Sequence, residues 1–158
     1  MTQCIFCDIY ETGVGIIYEN DKFFSIFDKF PVAPGNALII SKRHVANLSE
    51  LTQEEWAVLK EAIDSTIKVI ESSDLKSLYS GFVNNPLNEK SKSFSQIMLT
   101  HIGISKKPEG YNFGVNEGEA AGRTIAHFHV NIIPRYFGDM KDSQRGIKKI
   151  FPEFERYT

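Results

Sequence analysis

The run AHFHVNIIPR, residues 126–135, sets His127 and His129 two positions apart among apolar neighbours, with Asn131 at the next step of the same spacing. On a strand, residues two apart share a face, so His127, His129, Asn131 and Ile133 make one row while Phe128, Val130 and Ile132 turn toward a core. Paired imidazoles on one face can supply a nucleophile, a proton carrier or a metal ligand, because the neutral ring is available near physiological pH. The plainer alternative is a half-exposed strand with its polar side chains in water. The loop just ahead carries Gly118, Gly122, Arg123 and Thr124; glycines let backbone amides approach a phosphate closely, and a hydroxyl and a guanidinium stand beside them. Cys4 and Cys7 form a C-x-x-C pair at the start of the sequence, a spacing that favours metal or redox chemistry over a structural disulfide. No strand precedes the pair, which sets it apart from a thioredoxin-like motif.

These groups need a scaffold, and the sequence outlines one. The 158 residues suit a single domain over 1–158, with 42% hydrophobic and 24% charged residues and a formal charge of −2. That balance offers no strong positive field, so a nucleic-acid groove is not expected. Neither a secretory leader nor a membrane-spanning run is evident, and a cytoplasmic location is the expectation. GIIYENDKFFSIFDKF reads as two strands around the turn residues Glu19 to Asp21, and ALIISKR, after a Pro31, Pro34 and Gly35 loop, reads as a central strand ending before His44. Thr52 and Glu55 make a capping box that opens a long helix, along which Trp56, Leu59, Ile63, Ile67 and Ile70 recur at helical spacing. The stretch from Asp74 to about Lys107 is polar and weakly patterned, and is expected to be an insertion or mobile loop. YNFGVNEG and TIAHFHVNIIP then read as adjacent antiparallel strands. The fold class is α+β, an antiparallel sheet with one main helix on a face.

The blocks CIFCDIY, FSIFDKFPVAPGNALIISKRHV, YNFGVNEGEAAGRTIAHFHVNIIPRY and the GD that follows resemble, in order, those of the histidine triad (HIT) nucleotide hydrolases and transferases. The likeness covers nearly the whole chain and is nearest to bacterial-type members that act on dinucleoside polyphosphates. It implies that His129 is the nucleophile forming a nucleotidyl-histidine intermediate, that Asp28 meets the ribose hydroxyls, and that Asn116 and Thr124 meet the phosphate or leaving oxygen. It also implies a structural zinc held by Cys4, Cys7, His44 and His127, and a homodimer paired through the main helix and the strand ahead of the signature. Magnesium is compatible with a polyphosphate substrate.

Three positions depart from the family pattern: Asn131 where a third histidine usually stands, Asn36 where a histidine follows the PG, and Arg123 where a glutamine precedes the hydroxyl residue. Asparagine can donate an amide hydrogen bond to a phosphate oxygen but cannot become a cation. Catalytic charge stabilisation is therefore expected to shift to Arg123, with Gly122 and Asn36 completing the phosphate contacts. The resemblance implies a nucleotide hydrolase cleaving at the α-phosphate of a dinucleoside polyphosphate or nucleoside phosphoramidate. The alternatives are a nucleotidyltransferase, since one transferase branch also has an amide at the third position, and a nucleotide-binding module without catalysis. His101 matches nothing in the family and is expected at the surface.

Overall fold

The computed structural model describes residues 4–140. Short β-branched and aromatic runs form a five-stranded antiparallel sheet: β1 (Ile16–Glu19), β2 (Phe23–Phe27), β3 (Ala37–Ser41), β4 (Gly110–Gly114) and β5 (His129–Arg135), in the order β1-β2-β3-β5-β4. Asn20 closes the β1–β2 hairpin by accepting the Lys22 and Phe23 amides on its side-chain oxygen. β3 sits at the centre, as the sequence predicts, and every residue of β2 and β3 is buried. Burial on both faces divides the core: Phe23, Phe27 and Ile39 face one layer, Phe24, Ile26, Leu38 and Ile40 the other.

The first layer is covered by α2 (Gln53–Ser72), whose start has the expected capping box of Thr52 with Glu55. Glu55, Leu59, Ala62, Thr66 and Ile70 form its buried stripe. Trp56, expected in that stripe, is instead 50% exposed, because it lies one residue, about 100°, around the helix from the buried Glu55. The Arg43 guanidinium grips the Glu55 carboxylate, Nε to Oε1 at 3.0 Å and Nη2 to Oε2 at 2.8 Å. That fork and the Thr52 amide hold Glu55 at about 2. The second layer is α1 (Ile5–Thr12), which seats Phe6 against Phe24, Ile26, Leu38 and Ile40.

The segment expected to be an insertion or mobile loop is a helical hairpin, α3 (Leu75–Asn84) and α4 (Glu89–Thr100). Asp74 caps α3 by accepting the Ser77 amide at 3.0 Å, and Asn88 caps α4 by accepting that of Ser91 at 2.9 Å. The pattern escapes a hydrophobicity reading because α4 buries Ser91, Ser95 and Met98, two of them small polar residues whose hydroxyls bond back to their own helix. The hairpin is anchored where Tyr79, fully buried, accepts the Gly35 amide on its hydroxyl at 2.8 Å, while Tyr136 donates its own to the Pro34 carbonyl at 2.9 Å. Gly35 has φ +82°, and a Cβ there would lie 2.8 Å from Ile70 Cγ2, so the turn requires glycine. His101, expected at the surface, is half-buried: Nδ1 accepts the Gly103 amide at 3.0 Å and the ring meets Tyr136 edge-on. No helix among the described residues is long and apolar enough to cross a membrane.

The Arg43–Glu55 fork gives the fold a pH signature. Glu55 ionises more easily folded than unfolded, so its contribution is complete above the ordinary carboxylate value of 4.5 and is lost as pH falls toward about 2. Glu55→Gln should cost about 1.5–3 kcal/mol at neutral pH, the worth of a hydrogen-bonded charge. Urea denaturation of both proteins across that range should show the difference shrinking toward the acid end.

Candidate functional site

β5 begins at His129, five residues later than the expected strand start at Thr124. The preceding residues leave the ladder, with the Phe128 amide bonded to the Val45 carbonyl. This places His127 beneath the sheet end, 1% exposed, rather than in an open polar row. Its Nε2 lies 2.7 Å from the Ser41 carbonyl, which only accepts, so Nε2 carries the proton and Nδ1 keeps its lone pair. That Nδ1 faces Cys4 Sγ at 3.4 Å and Cys7 Sγ at 3.7 Å, while His44 Nδ1 lies 3.2 Å from Cys7 Sγ. The four donor atoms all lie within 4.8 Å of one another, a group able to hold a metal ion. Burial holds His127 below its ordinary value and so favours the neutral, ligating form, whereas burial and the neighbouring Cys4 thiol push Cys7 up to about 11.

His129 shares the face but has another environment. Its Nδ1 lies 2.8 Å from the His127 carbonyl, which fixes that nitrogen as the donor and leaves Nε2 as the free basic atom. The ring lines a cleft of about 530 Å³ together with Asp28, Asn116, Gly122, Thr124 and Asn131. The rest of the lining is largely apolar: Ile5, Phe6 and Ile9 of α1, with Ile26 and Leu38 of the sheet, Leu38 pairing directly with Asn131. Phe6 meets the His127 and His129 rings edge-on at 5.8 and 5.2 Å, so one side chain packs against both histidines. Asp28 accepts the Phe30 amide at 2.8 Å; burial nevertheless raises its pKa, opposed by that bond and by His129. A size of a few hundred Å³ with a few convergent polar groups suits a small ligand.

Two predicted phosphate contacts lie elsewhere. Arg123 does not line the cleft; its Nη1 donates to the Ala46 carbonyl and to Asn47 Oδ1 at 3.3 and 3.0 Å, tying the glycine loop to the segment before α2. Asn36 is 1% exposed, accepting the Val32 amide and donating to the Ile132 carbonyl at 3.1 Å. It staples the Asp28–Asn36 turn to β5, and its amide is fully engaged there. The α1 wall, Lys29 of the turn and Leu87 of the α3–α4 connection also line the cleft and were missed in the sequence. The only signal for α1 was the helical spacing of Ile5, Phe6 and Ile9 between and after the cysteines.

Comparison with known proteins bears on the family and the fold. An uncharacterized HIT-like protein of Mycoplasma genitalium is 31% identical over 137 residues, covering 85% of this chain and 74% of that protein. A protein of Mycobacterium tuberculosis named AP-4-A phosphorylase is 25% identical over 147 residues, 91% of this chain and 59% of its own length. Among solved structures, a zinc-bound histidine triad family protein from Mycobacterium smegmatis shares the fold, with a TM-score of 0.54 over 89% of this chain and 80% of that one at 23% identity. The HIT domain matches residues 11–138, from the end of α1 through Gly138, and the chain belongs to the HIT domain family.

Proposed function

We propose that the protein is a nucleotide hydrolase that works through a nucleotidyl-histidine intermediate on His129. The observation that carries this reading is the fixed tautomer of His129: with Nδ1 bonded to the His127 carbonyl at 2.8 Å, Nε2 is a free nucleophile on a cleft-lining residue. Nε2 forms a bond to the α-phosphorus; the P–O bond to the leaving group breaks and that oxygen departs with the electron pair, accepting a hydrogen bond from Thr124. A water oxygen then forms the new bond to phosphorus and gives up a proton to solvent, the P–N bond breaks, its electrons return to Nε2, and a nucleoside monophosphate is released. The Nδ1–H bond to a neutral carbonyl orients the ring and stabilises the positive charge it gains on phosphorylation. Asn116 and Asn131 donate amide hydrogen bonds to phosphate oxygens, and Asp28 accepts from the ribose hydroxyls. A dinucleoside polyphosphate fits this scheme; in a nucleoside phosphoramidate the bond that breaks first is P–N, and the departing nitrogen keeps the electron pair and leaves as an amine with a proton from solvent. The relative named AP-4-A phosphorylase supports a second outcome of the same intermediate, capture by inorganic phosphate instead of water. Analysing products with and without phosphate separates the two.

Zinc is the metal that the Cys4, Cys7, His44 and His127 donor set suits best. Bond lengths of about 2.3 Å to sulfur and about 2.0 Å to nitrogen place tetrahedral donors roughly 3.5 Å apart, which the 3.2 to 3.7 Å separations match. Four protein ligands leave no position for substrate, so its role is structural. The homodimer implied by the family has a free surface to use among the described residues, the outer edge of β4 with Phe113 at 44% exposure.

His129→Ala should reduce turnover by at least about a thousandfold and abolish the acid-labile nucleotidyl adduct, while changing monophosphate affinity by less than about tenfold; retained turnover would remove the mechanism. Protein purified without chelator or metal-affinity tag should carry close to one equivalent of zinc per chain, and Cys4→Ser with Cys7→Ser should lower the Tm before it lowers activity per folded molecule. Elemental analysis giving less than about a tenth of an equivalent would eliminate the zinc centre. Sedimentation at micromolar concentration should show a dimer, and a monomer alone would refute the pairing.

A further inference from the structure

Lys29 is the single lysine or arginine among the described residues that line the cleft. It follows Asp28 directly, in the short turn between β2 and β3. Its ammonium lies 3.2 Å from the centroid of the Phe82 ring on α3, and the next residue, Phe30, meets Phe94 of α4 edge-on at 6.0 Å. The helical hairpin therefore clamps the Asp28–Lys29–Phe30 segment and fixes the lysine against an aromatic face. No carboxylate among the described residues lies within ion-pair distance of that ammonium, in contrast to Lys22, Lys42 and Lys60. Burial also lowers its pKa, as expected of a cation that has lost water without gaining an anion.

A partly desolvated cation with an aromatic ring on one side and no acceptor among the described residues on the other is matched by an oxygen acceptor from a ligand. The cleft gives that oxygen an address. In the reading above, which this inference rests on, phosphorus lies at His129 and the ribose hydroxyls at Asp28; the part of the nucleotide that continues past the ribose is the base. Lysine offers three donors and no acceptor. The six-position oxygen of guanine or hypoxanthine accepts from it, while the six-position amino group of adenine presents donor to donor. We propose that Lys29 determines nucleobase specificity by donating to the six-position carbonyl oxygen of an oxopurine, selecting guanine and hypoxanthine nucleotides over adenine nucleotides.

Calorimetric Kd values for GMP, IMP, AMP and 3′-phospho-AMP, measured on the full chain and on its Lys29→Met and Lys29→Arg variants, test this. The wild-type protein should bind GMP and IMP roughly ten- to a hundredfold more tightly than AMP, the worth of one hydrogen bond from a charged donor. Lys29→Met should bring all three within about threefold, with its Tm lowered by no more than about 4 °C through the lost contact with Phe82, and Lys29→Arg should keep the preference because it keeps a donor. IMP separates the carbonyl from the two-position amino group, which it lacks. Equal wild-type affinity for AMP, GMP and IMP, or a preference that survives Lys29→Met, overturns the assignment and leaves the nucleotidyl mechanism standing. Tightest binding of 3′-phospho-AMP, lost in Lys29→Met, also overturns it by giving Lys29 a ribose phosphate instead of a base. Failure of all four nucleotides to bind removes the inference together with the nucleotide reading of the cleft.

Discussion

A buried histidine must account for both of its ring nitrogens, and the site is arranged around the way His127 does so. Nε2 donates to the Ser41 carbonyl at the end of β3, and Nδ1 turns to the Cys4 and Cys7 thiols. One ring thus joins the central strand, the first helix and the approach to β5. Its own carbonyl then receives Nδ1 of His129, so the tautomer of the second histidine depends on the backbone position of the first. Displacing His127 would disturb the ligand cluster, the seat of α1 and the orientation of the free His129 nitrogen together.

The two asparagines that depart from the family pattern differ in kind. Asn131 lines the cleft beside His129, where an amide can still meet an anionic oxygen. Asn36 has become a structural staple, bonded to Val32 in its own turn and to Ile132 in β5. Arg123 likewise bonds to Ala46 and Asn47 outside the cleft. Among the described residues, the guanidinium that the sequence offered is bonded outside the cleft, and the lysine that lines it belongs to the Asp28 turn.

The sheet and α2 were legible because their signals are local: short apolar runs at β2 and β3, period-two alternation in β5, a turn asparagine, and a Thr52–Glu55 capping box. The four metal-ligating candidates, read through the family resemblance, converge in space although 123 residues separate Cys4 from His127. What stayed hidden was tertiary in origin. The α3–α4 hairpin buries serines, which resemble loop residues until a packed neighbour is present. Trp56 shares the helical rhythm of its neighbours but lies off the buried stripe. The side-chain partners of Arg123 and Asn36 lie across loops, and no spacing rule foretells them.

Helix α1 serves two sites at once. It contributes Cys4 at its start and Cys7 within it to the ligand cluster, and Ile5, Phe6 and Ile9 to the cleft wall. An ion that holds this helix against the sheet and a ligand that packs on its apolar face would favour the same seated state. Thermodynamic reciprocity then requires that whatever affinity one gains from the other is returned by the same factor. Removing such an ion would weaken the seated state and the grip of the cleft together, and a saturated cleft would raise the affinity for the ion by the same factor.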